Sequence, residues 1–159
     1  VTGVAGRKDL LRVSCNGEGC GQCASGVLTA LNECDVLSSG VEPSENRLDL
    51  VVATENVPDP AAFALELEQR FAQAGLKVEG GLGSVSAVGL GVGDKTGALL
   101  ETLDALQEAG VNVLTSFTSR EALTCLVEID HVDAAVQVVH TLFLNDDVAE
   151  KVDGKQVSA

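Results

Sequence analysis

Three groups of residues in this chain have the types and spacing to do chemistry. The first is Cys15, Cys20 and Cys23. Their C-x4-C-x2-C spacing is that of a plant-type iron–sulfur loop. Cys20 and Cys23 also suit thiol redox work at the start of a helix, where the dipole favours a thiolate. A cluster needs a fourth ligand well downstream; Cys34 is too near and Cys125 lies in the other half of the chain. The plainer reading makes these residues turn thiols and small apolar side chains, with Cys34 and Cys125 in the core. The second group is Gly89-Leu90-Gly91-Val92-Gly93-Asp94-Lys95-Thr96-Gly97. It invites a nucleotide reading and fails it. Asp94 separates Gly93 from Lys95, so no Gly-Lys-Ser/Thr phosphate loop forms, and Asp94 also stands where a dinucleotide fingerprint needs its last glycine. The third group is the pair of glycine-rich turns themselves. Each runs straight into a helix, whose free N–H groups and positive dipole end suit a carboxylate. Asp94 is placed to take an ammonium, or to cap the helix. His131 and His140 have no paired metal-ligand spacing. Glu66, Glu68, Asp130 and Asp133 fall on faces expected to be solvated.

The elements that must position these groups come as a repeat. Arg12–Cys15 is strand-like; a glycine-rich turn follows, then a helical stretch with Val27, Leu28 and Leu31 on one face. Ser84–Val88, a second glycine-rich turn, and a helix from about Gly97 to Ala109 with Leu99, Leu103 and Leu106 repeat the pattern. Arg12 and Ser84 are 72 residues apart, Leu28 and Leu103 are 75 apart, so the turns differ by three residues. Each helix is followed by an apolar segment (Val36-Leu37; Val111–Leu114), a polar turn (Glu42–Asn46; Thr118–Glu121) and a second strand (Leu48–Val52; Leu123–Val127). A second helix closes each pattern: Pro60 sits where a helix starts, with Phe63, Leu67, Phe71 and Ala74 at helical spacing, and Val132, Ala135, Val136, Val139 and Phe143 form the matching stripe.

Each half therefore reads β-α-β-β-α, the α+β plan of a ferredoxin-like βαββαβ unit with an antiparallel sheet and both helices on one face. Leu76–Glu79 closes the first half. The second half lacks a closing strand, and Val1–Ala5 is the segment expected to supply it. The expected division is 8–82 for the first unit, 83–146 plus 1–6 for the second, and a polar tail over 147–159.

Composition narrows the function classes. The chain has 159 residues and a net charge of -14, so nucleic acid and anionic membranes are not expected partners. No apolar run approaches the ~20 residues of a membrane span, and no signal peptide is read; a cytoplasmic protein is expected. Aromatics are 3% of residues, so the core must be aliphatic. The chain has no Met and begins with Val, which suggests a piece of a longer protein or a numbering that drops the initiator.

Two such units in tandem resemble the paired ACT domains of aspartokinase, especially its regulatory (beta) subunit. The resemblance is carried by Val85-Ser86-Ala87-Val88-Gly89-Leu90-Gly91-Val92, by Ala105 to Val113, by Thr118-Ser119, by Ala134-Ala135-Val136 through His140 and Phe143, and by Val1–Ala5. The first unit departs from the family's pattern. Gly17–Gln22 replaces an Asp-Lys-Pro-Gly type turn, and Cys34–Ser39 replaces an Ile-Asn-Ile-Asp type strand. The resemblance implies effector contacts at Glu18, Gly19, Cys20, Gly21, Gln22, Asp35 and Val36 in the first unit. In the second it implies them at Asp94, Lys95, Thr96, Gly97, Asn112 and Val113.

The function so implied is allosteric: a small amino-acid effector of the Lys or Thr class binds at ACT interfaces and shifts an equilibrium felt by an aspartokinase catalytic domain or subunit. A homodimer is expected, with no cofactor and no catalysis by this chain. Two rivals stand beside this reading: an iron–sulfur or thiol-redox protein using Cys15, Cys20 and Cys23, and a dimerisation module with no ligand.

Overall fold

The computed structural model describes residues 1–145. Its elements run β1 (Gly3–Asn16), α1 (Cys20–Glu33), β2 (Ser38–Pro43), β3 (Arg47–Ala53), α2 (Pro60–Arg70), β4 (Lys77–Val88), α3 (Thr96–Glu108), β5 (Thr115–Ser119), β6 (Ala122–Glu128) and α4 (Val132–His140). Over the described residues the chain is α+β with six antiparallel strands and four α-helices. The tail expected over 147–159 lies outside the described residues.

Two compact units result. One comprises Asp9–Leu82 and is called here the inner unit; the other comprises Val1–Lys8 and the chain from Gly83 onward, the outer unit. In the strand order β2-β3-β1-β4-β6-β5, the inner unit holds β2 and β3, the outer unit holds β6 and β5, and β1 and β4 give a different segment to each. The four short strands expected at Val1–Ala5, Arg12–Cys15, Leu76–Glu79 and Ser84–Val88 are thus two long ones. Each long strand passes through a left-handed residue where it changes unit, Asp9 at φ 60 and Gly81 at φ 70. Neither residue ends its strand, and the break in regular extended backbone hides the continuity from a reading that looks for unbroken alternation.

The inner core follows from strand alternation. Leu11, Val13 and Cys15 of β1 share one face with Leu48, Leu50 and Val52 of β3; Ala24, Val27 and Leu31 of α1 and Leu67 of α2 complete the same buried cluster. The outer core repeats this with Val85 and Ala87 of β4, Leu123, Cys125 and Val127 of β6, Leu106 of α3, and Val132, Ala135 and Val139 of α4. Both helices of each unit therefore cover one sheet face. Each fully buried leucine or valine contributes about 1.5–3 kcal/mol. Asp59 caps α2, its carboxylate accepting from Ala62 N at 3.1 Å, and Pro60 occupies the first turn.

The edge strands sit later than the apolar letters suggest. Val36-Leu37 and Val111–Leu114 precede strands rather than form them; the strands are Ser38–Pro43 and Thr115–Ser119. Val111 is buried beneath the end of α3, its N–H bonded to Leu106 O at 2.9 Å, so its apolarity serves the helix-to-sheet crossing. The edge strand itself is half-exposed and can be Thr- and Ser-rich.

Candidate functional site

The two glycine-rich turns are built alike and finished differently. In the inner unit the turn Gly17–Gly19 enters α1, with Gly19 as N-cap at φ 89. The tip of the β2–β3 hairpin lies directly against the helix start. Gly21 N donates to Glu45 O at 3.1 Å and Gly17 N to Asn46 O at 2.8 Å. A β-carbon at Gly21 would collide with the backbone carbonyls of Ser44 and Glu45. Cys20 N donates to Gly17 O and Cys23 N to Gly19 O. Most donors of the first turn are thereby used by the protein itself.

In the outer unit the β5–β6 hairpin takes donors from the turn instead. Gly91 N donates to Arg120 O at 2.7 Å and Gly89 N to Glu121 O at 2.8 Å. Lys95 is the N-cap of α3 and no side chain caps it. Among the described residues no acceptor faces the N–H groups of Thr96 and Gly97, which any helix leaves open at its start. Asp94 is not the cap. It ends a short 3-10 turn, Val92–Asp94, and its carboxylate faces Arg120 Nε at 4.0 Å with both side chains exposed. Two helix donors, an anion and two cations (Lys95 and Arg120) therefore gather at one exposed corner. A β-carbon at Gly97 would meet nothing within 4 Å, so there is open space above the turn.

The expected contacts divide into four places. Glu18–Gln22 lies at the start of α1, and Asp35-Val36 at its far end. Asp94–Gly97 lies at the start of α3, and Asn112-Val113 beyond its end. A helix of 13 residues is roughly 20 Å long, so no single amino acid touches both groups within one unit. Asn112 and Val113 line a cleft of about 510 Å³ with Leu103, Gln107, Gly110 and Val111. Val36 lines a smaller one of about 280 Å³ with Cys34, Pro58, Ala62, Phe63 and Glu66. Asp35 stands at φ 53, a left-handed backbone that ends α1 and turns the chain toward β2.

The cysteines depart from expectation in two respects. Cys34 is not a core residue; it is exposed, because it is the C-cap of α1 and the chain turns away there. Cys20 does not pair with Cys23. Cys20 is fully buried with its Sγ on Ala74 O at 3.5 Å, while Cys23 Sγ lies 3.6 Å from Cys15 Sγ. The helix start carries Cys20 inward and leaves Cys23 over the strand. No group of three His, Cys, Asp or Glu side chains among the described residues could hold a metal ion, so the iron–sulfur reading loses its ligand set. Burial, with hydrogen bonding from Cys20 and Cys23, pushes the Cys15 thiol well above its ordinary range. Burial pushes Cys125 up to about 11.

Three features escaped the sequence. Arg12 and Asp49 form a bidentate pair at 2.7 and 3.1 Å across β1 and β3, and that hydrogen bonding raises the arginine pKa against the cost of burial. Alternating polar letters on two facing strands were the available signal. Glu68 is not simply solvated, since its Oε1 accepts from Val78 N at 2.9 Å. His131 ends a 3-10 turn and caps α4 with its Nδ1 buried and unpartnered among the described residues.

No protein-family model matches the chain, and no curated protein matches it. Solved structures do. The regulatory subunit of aspartate kinase from Thermus thermophilus is similar over 90% of this chain and 97% of its own length, at 24% identity and a TM-score of 0.69. The aspartate kinase of Clostridium acetobutylicum is similar over 90% of this chain, at 18% identity and a TM-score of 0.74; this chain spans 34% of that enzyme's length. Aspartokinase III of E. coli, in complex with lysine and aspartate, is similar over 87% of this chain, at 18% identity and a TM-score of 0.67, with 32% of its length spanned. The fold is that of the ACT regulatory parts of these enzymes. No helix among the described residues is long and apolar enough to cross a membrane.

Proposed function

We propose that this chain is an amino-acid-sensing regulatory module of an aspartate kinase, cytoplasmic and homodimeric, that does no catalysis itself. Its catalytic partner is a domain or a separate subunit; the structures it resembles include both a free-standing regulatory subunit and enzymes three times its length. The observation that carries the reading is the uncapped first turn of α3. Thr96 and Gly97 N–H groups suit an α-carboxylate, and the exposed Asp94 carboxylate suits the α-ammonium. A zwitterion needs that pair of opposite partners within a few ångströms.

The effector belongs to the Lys or Thr class, lysine being the ligand named for the E. coli relative. Asn112 and Val113 stand too far from this corner to join it within one unit, so they contribute from a second copy, at an ACT interface. Binding there favours one arrangement of subunits, and the effector regulates by its difference in affinity between arrangements.

The decisive experiment is calorimetric titration with lysine, threonine, methionine and cysteine at millimolar concentration, paired with thermal melts. A ligand at 100 times its Kd should stabilise the folded chain by about 2.7 kcal/mol. Absence of heat and of any melting shift with all four would leave a dimerisation module and sink the sensor reading.

A further inference from the structure

The inner unit holds a second chemical feature that effector binding does not use. Cys23 lines a cleft of about 470 Å³ whose other walls include Gly19, Gln22, Arg70, Phe71 and Ala74. It is half-buried and its Sγ donates to Cys20 O at 3.1 Å, whereas Cys15 is 5% exposed and lines no part of that cleft. The two sulfurs are 3.6 Å apart, on β1 and on the first turn of α1. Cys20 also hydrogen-bonds the Cys15 thiol, but it is fully buried with its Sγ on Ala74 O at 3.5 Å and does not line that cleft. Open side, closed side and short gap are the layout of a thiol that attacks first and a thiol that resolves the product.

We propose that Cys23 and Cys15 form a thiol–disulfide exchange site, open to small disulfides through the Cys23 cleft. In the first step the Cys23 thiol loses its proton and its sulfur attacks a small disulfide RS–SR. The S–S bond breaks, a mixed disulfide Cys23–S–SR forms, and RS⁻ leaves, taking up a proton as RSH. In the second step the Cys15 thiol loses its proton and attacks Cys23 Sγ. The bond to SR breaks, the second RSH leaves, and the Cys15–Cys23 disulfide ties α1 to β1. Two electrons pass from the two thiols to the small disulfide, which is reduced to two thiols. Because Cys15 is enclosed in apolar surroundings, its thiolate is scarce and the second step is the slower one; it speeds up as pH rises.

The exposed Cys34 would react on its own, so the test uses the full chain carrying Cys34→Ser. Oxidised glutathione is the probe, with intact mass and peptide mapping as readouts. The expected course is a transient glutathione adduct, then a product lighter than the starting protein by about 2 Da, mapped to Cys15–Cys23 and reversed by dithiothreitol. Cys15→Ala should stop at the adduct on Cys23, and Cys23→Ala should acquire no adduct while folded. Mapping of the parent protein needs no core variant, so the proposal stays testable if either alanine variant fails to fold. A bridge mapped to Cys20, an adduct in folded Cys23→Ala, or no reaction of the folded Cys34→Ser chain under conditions that fully modify Cys34 of the unsubstituted chain would overturn it.

Discussion

The inner and outer units answer the same structural problems with different chemistry, and two places make this plain. At the helix start, the inner unit spends its donors on its own hairpin, through Gly21 N to Glu45 O, and puts thiols there. The outer unit satisfies its turn at Gly89 and Gly91 and leaves the first turn of α3 to solvent beside Asp94, Lys95 and Arg120. At the sheet, β1 and β3 of the inner unit face each other with the ion pair Arg12–Asp49, while β4 and β6 of the outer unit carry the hydroxyl pair Ser86–Thr124 at 2.8 Å. The repeat aligns Asp49 with Thr124. One framework thus carries a closed, thiol-bearing end and an open, charged end. The lesson is that the two units share the backbone hydrogen bonding between hairpin and glycine turn and differ in the chemistry at the helix starts.

The largest effects should come from breaking what the units share. A β-carbon at Gly93 would collide with Ser119 O and crowd Ala122 O, both backbone atoms that cannot move cheaply. Gly93→Ala should cost at least about 3 kcal/mol, seen as a lower midpoint in urea. Gly21→Ala, against Ser44 O and Glu45 O, should fall in the same range. If either variant melts like the parent, the hairpin does not seal that turn.

The next effect distinguishes the units. Asp49 is 6% exposed and holds both Arg12 and, at 3.6 Å, Arg47. Asp49→Ala leaves Arg12 partly buried and unpaired, which should cost about 3 kcal/mol. The outer unit's exposed pair, Lys8–Asp133 at 3.2 Å, should be worth well under 1 kcal/mol when broken by Lys8→Ala. Comparable losses would mean that the inner pair is no more than a surface contact.

How much of this was legible in the letters depends on what each letter reports. Helical stripes such as Val132, Ala135 and Val139 announce a buried face directly, because period and apolarity coincide. The repeat was legible for the same reason. Strand limits were not: Val111–Leu114 is apolar because it crosses from helix to sheet, while the strand Thr115–Ser119 is polar because it is an edge. The joining of Val1–Ala5 to Arg12–Cys15 was hidden by Asp9, whose left-handed backbone has no strong sequence signal outside glycine. At the site, the glycine turns were legible as turns, but which N–H groups the hairpins consume depends on a contact across 24 residues in one unit (Gly21 to Glu45) and 29 in the other (Gly91 to Arg120). That Cys23 and not Cys20 lines a cleft was likewise set by helix phase, which the C-x2-C spacing does not report.

A pH scan separates the buried thiols from the rest. Cys125 in the outer core is raised from 9.0 to about 11 by burial. Its folded pKa lies above its unfolded one, so its contribution is complete below pH 9.0 and is lost as pH rises toward 11. In that window the unfolded chain binds fewer protons than the folded chain, and stability must fall as pH rises. The loss should be roughly 2 kcal/mol, read from urea midpoints across the window. Cys125→Val should flatten part of that fall, and Cys15→Ala should flatten another part, since its thiol is raised for the same reason. A fall unchanged by Cys125→Val would mean that another group titrates there.

The smallest stability change carries the sharpest functional contrast. Gly97 has open space at its β-carbon and no left-handed backbone, so a side chain fits without strain. Gly97→Asp replaces a flexible residue in the first turn of α3 and sets an anion against the helix N-terminus. Both changes favour the fold, by about 0.5–1 kcal/mol together. The same carboxylate occupies the place proposed for an effector's carboxylate. The variant should therefore melt slightly higher than the parent and show no calorimetric response to the amino acid that the parent binds. Gln22→Asp at the start of α1 should leave that response intact, because the inner turn is already closed by its hairpin. If Gly97→Asp binds as the parent does and Gln22→Asp does not, the open and closed ends have been assigned to the wrong units.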